Sequence, residues 1–493
     1  MVQAWYLLIP VFFPVLSGLC LAFFRPLDGV RARKAAVTSV LILNMLLLVP
    51  VLLSPEMELH LFSLSDRLPV FLRTDLTGKC FAALMALVWC LAGIYSFGYM
   101  EHEKHLRRYY SFYVTTLGVL MALCFAGSVI TYYMLYELMT LLTVPLVMHT
   151  MEKDAVAAGI KYLIYSILGA SLVLLAVFML ARFVPTFSFV PGGVLTEEMV
   201  SGHETLMLIA AFLTILGFGT KAGMFPLHGW LPTAHPVAPA PASAVLSGII
   251  TKAGVLGVIR MVFFFIGPDM IRGTWVQTAF MALTLFTIFS GSLLAYQEDL
   301  FKKRLAYSSV SQVSYVLFGL STLHPLGFVG SMLHVCAHSL IKDTLFMSAG
   351  AVIHRTGKTR VSELEGIGRQ MPGVMWCFTL VSVGLVGIPP CLGFVSKWYL
   401  AQGSLNSVIQ PGFFTWLGPV ILLISALLTA GYLLSLSIHA FFPRTPLPAG
   451  YQKLEPGAGM LVPMLVLTFL SIALGIYPTP ILNLLTGLAG TVL

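Results

Sequence analysis

Three observations predict an all-α polytopic membrane protein. Of the 493 residues, 58% are hydrophobic and only 10% are charged, against roughly a quarter charged in an ordinary soluble domain. The apolar residues gather into fourteen runs, each near the roughly 20 residues that one membrane-spanning helix needs. The basic residues are sorted between alternate connecting loops. A soluble enzyme of this size would need far more charge to cover its surface and is excluded.

The runs lie at about 5–24, 35–53, 77–98, 109–127, 128–148, 156–181, 204–224, 241–265, 275–296, 306–323, 326–354, 372–400, 413–441 and 460–483. The first has no basic residue before it and Arg25, Arg31, Arg33 and Lys34 after it. A cleavable signal has the opposite flanks, so this run reads as a retained anchor. Loops after odd-numbered runs hold 17 Lys/Arg, and loops after even-numbered runs hold 5 (Arg67, Arg73, Lys79, Arg182 and Arg272). Basic loops stay on the cytoplasmic side, so an even number of spans is expected, with both termini on the non-cytoplasmic face of the cell membrane. The net charge of +8 thus reflects topology and not a nucleic-acid surface. The seven cysteines are scattered without a Cys-x-x-Cys pair; they read as small hydrophobes, and neither a metal site nor a cofactor site is expected.

Two runs are interrupted. The seventh meets Gly223-Met224-Phe225-Pro226, followed by Pro232, Pro236, Pro239 and Pro241, and the twelfth contains Gly387-Ile388-Pro389-Pro390. Proline removes a backbone donor, and broken backbone at membrane depth persists only inside protein or beside a wet cavity. Paired discontinuous helices point to an inverted-repeat transporter. The expected division is residues 1–108 for helices 1–3, 109–265 for repeat one (helices 4–8), 266–441 for repeat two (helices 9–13) and 442–493 for helix 14.

Six basic residues fall inside the runs: Lys161, Lys221, Lys252, Arg260, Lys342 and Lys397. Glu137 and Asp343 are inside as well, with Glu204 at a boundary. An ionisable group at mid-membrane costs about 2.5–3.5 kcal/mol on the insertion scale, so these positions are where function is sought. A desolvated amine titrates nearer neutrality than one in water, and a carboxylate within about 4–6 Å reverses that. Movement of Glu137 relative to Lys221 would therefore load or discharge the amine; the plainer alternative is a static ion pair between helices. His334, His338 and Lys342 recur every four residues and share one helical face, which suits a proton relay. Zinc at His334 and His338 lacks further ligands, and satisfied core histidines are the other reading. Asp343 points off that face, toward a neighbour. Ser308, Ser311 and Tyr315 share a face that holds a water chain or glues helices together. Arg260, near a helix end, is expected to snorkel. His228 and His235 bracket the first break, lining a water inlet or steadying the turn, and Lys161 either tunes Glu137 or snorkels.

At these residues the chain resembles a known family. Gly219-Thr220-Lys221-Ala222-Gly223-Met224-Phe225-Pro226-Leu227-His228-Gly229-Trp230-Leu231-Pro232 is similar to the helix 7 signature of antiporter-like subunits of the respiratory complex I superfamily. So are Ser247-Gly248-Ile249-Ile250-Thr251-Lys252, Ser311-Gln312-Val313-Ser314-Tyr315, the stretch from His334 to His354, and Phe394-Val395-Ser396-Lys397. The similarity spans roughly residues 100–400. It implies fourteen helices, two inverted repeats and proton transfer along a central hydrated axis. By position, Glu137, Lys221, Lys252 and Lys397 match the family's key charged residues, and His334, His338 and Lys342 its linking polar chain. The wording of helices 7 and 8 looks nearest to energy-converting hydrogenase-type complexes and multisubunit cation/proton antiporters. Thr233 stands where many members carry an acid, which weakens any coupling to His228 or His235, and the twelfth helix carries lysine where some relatives have glutamate. No segment follows the fourteenth run, which implies a central or single-module subunit.

The expectation is a proton-translocating subunit of a complex I-related redox-driven pump, with no redox or hydrolytic chemistry on this chain. Its partners would be other membrane subunits of the assembly, the lipid bilayer and protons, with sodium left open. A subunit of a multisubunit sodium/proton antiporter without redox partner is the alternative, and a structural scaffold the third.

Overall fold

The computed structural model describes residues 3–24, 26, 29–444 and 452–493. Arg25 of the first basic loop, and residues 445–451 at the start of the expected last division, lie outside them. The chain is mostly helical: α1 Leu8–Phe23, α2 Val30–Leu53, α3 Leu76–Tyr99, α4 Leu106–Cys124, α5 Val129–Val147, α6 Lys153–Leu180, α7 Glu204–Ala222, α8 Leu231–Val237, α9 Ala240–Ile266, α10 Trp275–Gln297, α11 Phe301–Ser321, α12 Pro325–Thr356, α13 Pro372–Val386, α14 Leu392–Leu405, α15 Phe414–Phe441, α16 Ala458–Ile476 and α17 Thr479–Val492. Among the described residues ten helices are long and apolar enough to cross a membrane. Their outward faces are greasy, with Leu46, Phe178, Leu427 and Phe469 all more than half exposed. Apolar side chains facing outward at this density mark a lipid-solvated surface, and the chain is a multi-pass membrane protein.

Local sequence explains the element ends. Asp75 caps α3 by accepting the Gly78 N–H at 2.7 Å, and Ser128 caps α5 by accepting that of Thr131 at 3.1 Å, as short polar side chains do at helix starts. The last apolar run is split, because Pro478 cannot continue the ladder; α16 ends at Ile476 and α17 restarts at Thr479.

The core is organised around α12, which packs against α3, α11, α13, α14, α16 and α17. From Gly327 to Val352 every residue of α12 is buried except Cys336. Beside it α9 is also wholly buried and carries two π-helical turns, Leu246–Ile250 and Val262–Ile266. Polar groups on these two helices are therefore shielded from both lipid and water.

Two expectations need correction. The fold is not purely helical: β1 Glu58–Ser63 pairs antiparallel with β2 Pro69–Arg73 in a bulged hairpin. Only the middle of β2 is buried, so the alternation that signals a strand is faint. Arg260 does not snorkel. It is almost wholly buried, paired through both terminal nitrogens with the Asp75 carboxylate, and flanked by the Phe189 and Phe264 rings at 5.4 and 4.9 Å. Its partner lies 185 residues away in sequence, a separation that no local pattern reveals.

Candidate functional site

Both helix breaks are built the same way. Gly223 ends α7 with φ 86° and Gly387 ends α13 with φ 93°, a left-handed conformation that glycine enters without steric cost. A lysine stands at each break. Lys221, in the last turn of α7, is fully buried and donates to Thr140 Oγ1 at 2.8 Å, Tyr162 OH at 2.9 Å and Ser166 Oγ at 2.9 Å. Its Nζ also sits over the Tyr162 and Tyr136 rings, at 4.4 and 5.5 Å. An ammonium has three donors, and neutral oxygens from α5 and α6 accept all of them. Lys397, in α14, is partly exposed as a residue, yet its Nζ turns inward to the carbonyls of Leu385 and Val386 at 2.6 and 2.9 Å. These belong to the last turn of α13, where orphan carbonyls and the helix dipole favour a cation.

Between the two breaks runs a chain of buried nitrogen bases. Lys252 follows the first π turn of α9; its Nζ donates to the Ser247 carbonyl at 2.8 Å and is hydrogen-bonded to His338 Nδ1. His338 and His334, one turn apart on α12, have ring centroids 6.3 Å apart. His334 Nδ1 meets Ser396 Oγ at 2.9 Å, beside Lys397 in sequence, and its ring stacks on Tyr315 at 5.3 Å. The Lys397 Nζ lies 5.0 Å over that same Tyr315 ring. On the next turn of α12, Lys342 donates to Ser308 Oγ at 2.6 Å and to the Leu305 carbonyl at 3.2 Å, and Ser308 in turn meets Tyr432 OH at 2.6 Å.

Other expected residues are placed apart from this chain. Glu137 is half-buried on α5 beside the exposed Met134, Leu138 and Leu141. Among the described residues no ion pair joins it to Lys221. Lys161 donates to Thr233 Oγ1 on α8 at 2.9 Å, and Thr233 Oγ1 donates to the Gly229 carbonyl at 3.0 Å. His228 is half-buried near Phe225, 5.9 Å between rings. His235 is fully buried and stacks on Phe346 at 4.6 Å, with neither ring nitrogen bonded to protein. Ser311 turns away from α12: it donates to the Ile288 carbonyl at 2.9 Å and meets Ser292 Oγ at 2.8 Å, which ties α11 to α10. Tyr315 donates to the Leu422 carbonyl at 3.1 Å while its ring serves the His334 stack.

Two groups of site residues escaped the sequence reading, and a third, Asp343, was read without its partner. The hydroxyls around Lys221 were signalled only by Tyr162 and Ser166 standing four apart in an apolar run. Lys302 looked like a loop lysine, yet it is buried and donates to the Pro236 carbonyl at 3.1 Å and to that of Ala238. It lines a cavity of about 160 Å³ together with Glu103, Pro236 and Lys303. Asp343 is fully buried on α12 beside the Lys252 site.

Chemically, amines, imidazoles and hydroxyls accept and pass protons; here the histidines and Lys342 follow one another a turn apart along α12, and the Nε2 atoms of His334 and His338 have no partner among the described residues. Sodium would call for a cage of oxygen ligands.

Comparison with known proteins shows the family. Residues 126–429 match the family model described as NADH:quinone oxidoreductase/Mrp antiporter, TM. NADH-quinone oxidoreductase subunit N of Desulforudis audaxviator (strain MP104C) is 33% identical over 421 residues, 82% of this chain and 80% of the relative. A Na(+)/H(+) antiporter subunit of Bacillus subtilis (strain 168) is 27% identical over 96% of this chain and 94% of its own. Among solved structures, a chain of the membrane-bound sulfane sulfur reductase, an archaeal respiratory membrane complex, superposes with a TM-score of 0.87 at 21% identity, covering 99% of this chain and 97% of the other.

Proposed function

We propose, on the premise that this chain belongs to the NADH:quinone oxidoreductase/Mrp antiporter transmembrane family, that it is the proton-translocating subunit of a complex I-related redox-driven pump. The observation that carries this reading is the hydrogen bond between Lys252 and His338, which links one broken helix's partner to the histidine row of α12. Protons enter from the cytoplasm near Lys302 and His235, occupy Lys342, His338 and Lys252, and leave toward the outside beyond Lys397. Glu137, facing outward from α5, sets the charge of Lys221 when a neighbouring subunit closes over it; Lys161 and His228 flank that approach. The energy comes from a redox partner, since each charge crossing 100 mV needs about 2.3 kcal/mol.

In this reading the chain crosses the cell membrane fourteen times, with both termini outside. Helices 4–8 (109–265) and 9–13 (266–441) form two inverted repeats, preceded by 1–108 and followed by 442–493. The paired left-handed glycines at the breaks support that division. Other membrane subunits are the expected partners, because the relatives and the solved neighbour are named as parts of multisubunit assemblies.

A sodium/proton antiporter subunit without redox partner is the second reading. It is favoured by the near full-length alignment to the Bacillus subtilis protein. Purification of the native assembly separates the two, since a redox subunit among the companions supports the first reading and a set of antiporter subunits alone supports the second. Proton uptake into vesicles carrying that assembly, lost on Lys252→Ala, tests translocation itself.

A further inference from the structure

Among the described residues Asp343 is the one acid with no exposed surface. Neither of its carboxylate oxygens has a hydrogen-bond partner in the protein. A buried carboxylate without donors costs several kcal/mol unless it is protonated or faces a cation. Consecutive residues on a helix point about 100° apart, so Lys342 reaches α11 through Ser308 while Asp343 turns toward α9. Its direction is fixed by two contacts. Ser339, one turn earlier on α12, donates to the Gly248 carbonyl at 2.7 Å. The Asp343 carboxylate fills the space that a Cβ on Gly248 would occupy, so the carboxylate needs glycine there. Gly248 lies in the π turn Leu246–Ile250, and the next turn carries Lys252. The Lys252 Nζ donates to the carbonyl of Ser247, the residue before Gly248, at 2.8 Å, which brings the amine to the same turn; nearby, the Tyr113 hydroxyl is committed to the Trp89 carbonyl at 2.7 Å.

We propose that Asp343 is a further proton-translocation residue of this chain, a carboxyl that exchanges a proton with Lys252 across the Gly248 turn. The step moves one proton and makes or breaks one bond at each end. The Lys252 ammonium gives its proton up and becomes a neutral amine, and the Asp343 carboxylate takes it and becomes a neutral acid. The reverse step restores both charges, leaving Lys252 able to hand its proton to His338 instead. Asp343 thus decides whether the proton waits beside α9 or moves along the α12 histidines, which a row of bases alone would not control.

This inference rests on the proton-translocating reading, and one experiment distinguishes their failures. The native assembly is reconstituted in vesicles and proton uptake is measured for the unaltered chain, Lys252→Ala, Asp343→Asn and Asp343→Glu. Asp343→Asn keeps the shape and removes the proton exchange, so uptake is expected to fall about a hundredfold, the lower end of what a positioned proton-transfer group contributes, with assembly intact. Uptake at the unaltered rate in Asp343→Asn, while Lys252→Ala abolishes it, overturns the role of Asp343 alone. No uptake by the unaltered assembly overturns the translocating reading beneath it. Should Asp343→Asn fail to assemble, the infrared difference spectrum of the unaltered chain across turnover decides. A protonated-carboxyl band that shifts in Asp343→Glu supports the proposal, and the lack of any such shift overturns it.

Discussion

The ammonium of Lys252 and Nδ1 of His338 are joined by a hydrogen bond between α9 and α12. A bond between two groups that compete for one proton leaves His338 to accept while Lys252 donates, so a proton on one biases the other. His338→Ala should stop proton uptake by the reconstituted assembly, and so should Lys252→Arg, which keeps the charge but cannot release its proton. Equal rates in His338→Ala and the unaltered chain would remove this bond from the transport route.

The hydroxyl cradle of Lys221 predicts a graded series. A buried hydrogen bond to a charged group contributes about 1.5–3 kcal/mol. Tyr162→Phe keeps the ring beneath the amine and loses one acceptor; Ser166→Ala loses another. Each should slow uptake by about tenfold or more, since about 1.4 kcal/mol is tenfold in rate. Their double variant should approach Lys221→Ala. Initial uptake rates in vesicles measure the series.

Arg260 and Asp75 predict a stability effect without a transport effect. Removing one member of a buried pair costs about 3–5 kcal/mol, whereas replacing both with apolar residues of similar size is often neutral. Arg260→Ala should lower the thermal unfolding midpoint of the solubilised chain, and Arg260→Met with Asp75→Asn, which removes both charges and keeps the cap of α3, should recover most of it. A single variant as stable as the unaltered chain would contradict the buried pairing.

Gly223 and Gly387 tolerate no side chain at their backbone angles. Alanine there costs roughly 1–2 kcal/mol from the left-handed conformation, and at Gly223 it also meets the Leu231 side chain. Gly487, in α17 with nothing near its absent Cβ, is the control: alanine there should stabilise by about 0.5–1 kcal/mol. Thermal unfolding of the three variants checks the ordering.

The apolar runs, the two Gly-Pro breaks and the four-residue spacing of His334, His338 and Lys342 were legible because each is a local periodicity or a local interruption. The geometry that joins them was not. Asp343 was read as pairing with some neighbour, and only the packing of α9 on α12 places it against Gly248. Arg260 was read from its distance to a helix end, which says nothing about an acid in a distant loop. Ser308 and Ser311 stand three apart and share a broad face, yet one serves Lys342 and the other binds α10; where neighbouring helices divide that face is a property of the assembled bundle. The 58–63 and 69–73 hairpin was hidden because most of its side chains face outward.

The most direct test is proton uptake by vesicles carrying the native assembly with Lys252→Met, a substitution of similar length without a titratable group, after confirming that the companion subunits remain bound. Uptake should be lost while the partner subunits still bind and turn over their own substrate. Uptake at the unaltered rate would contradict translocation through this buried row of bases.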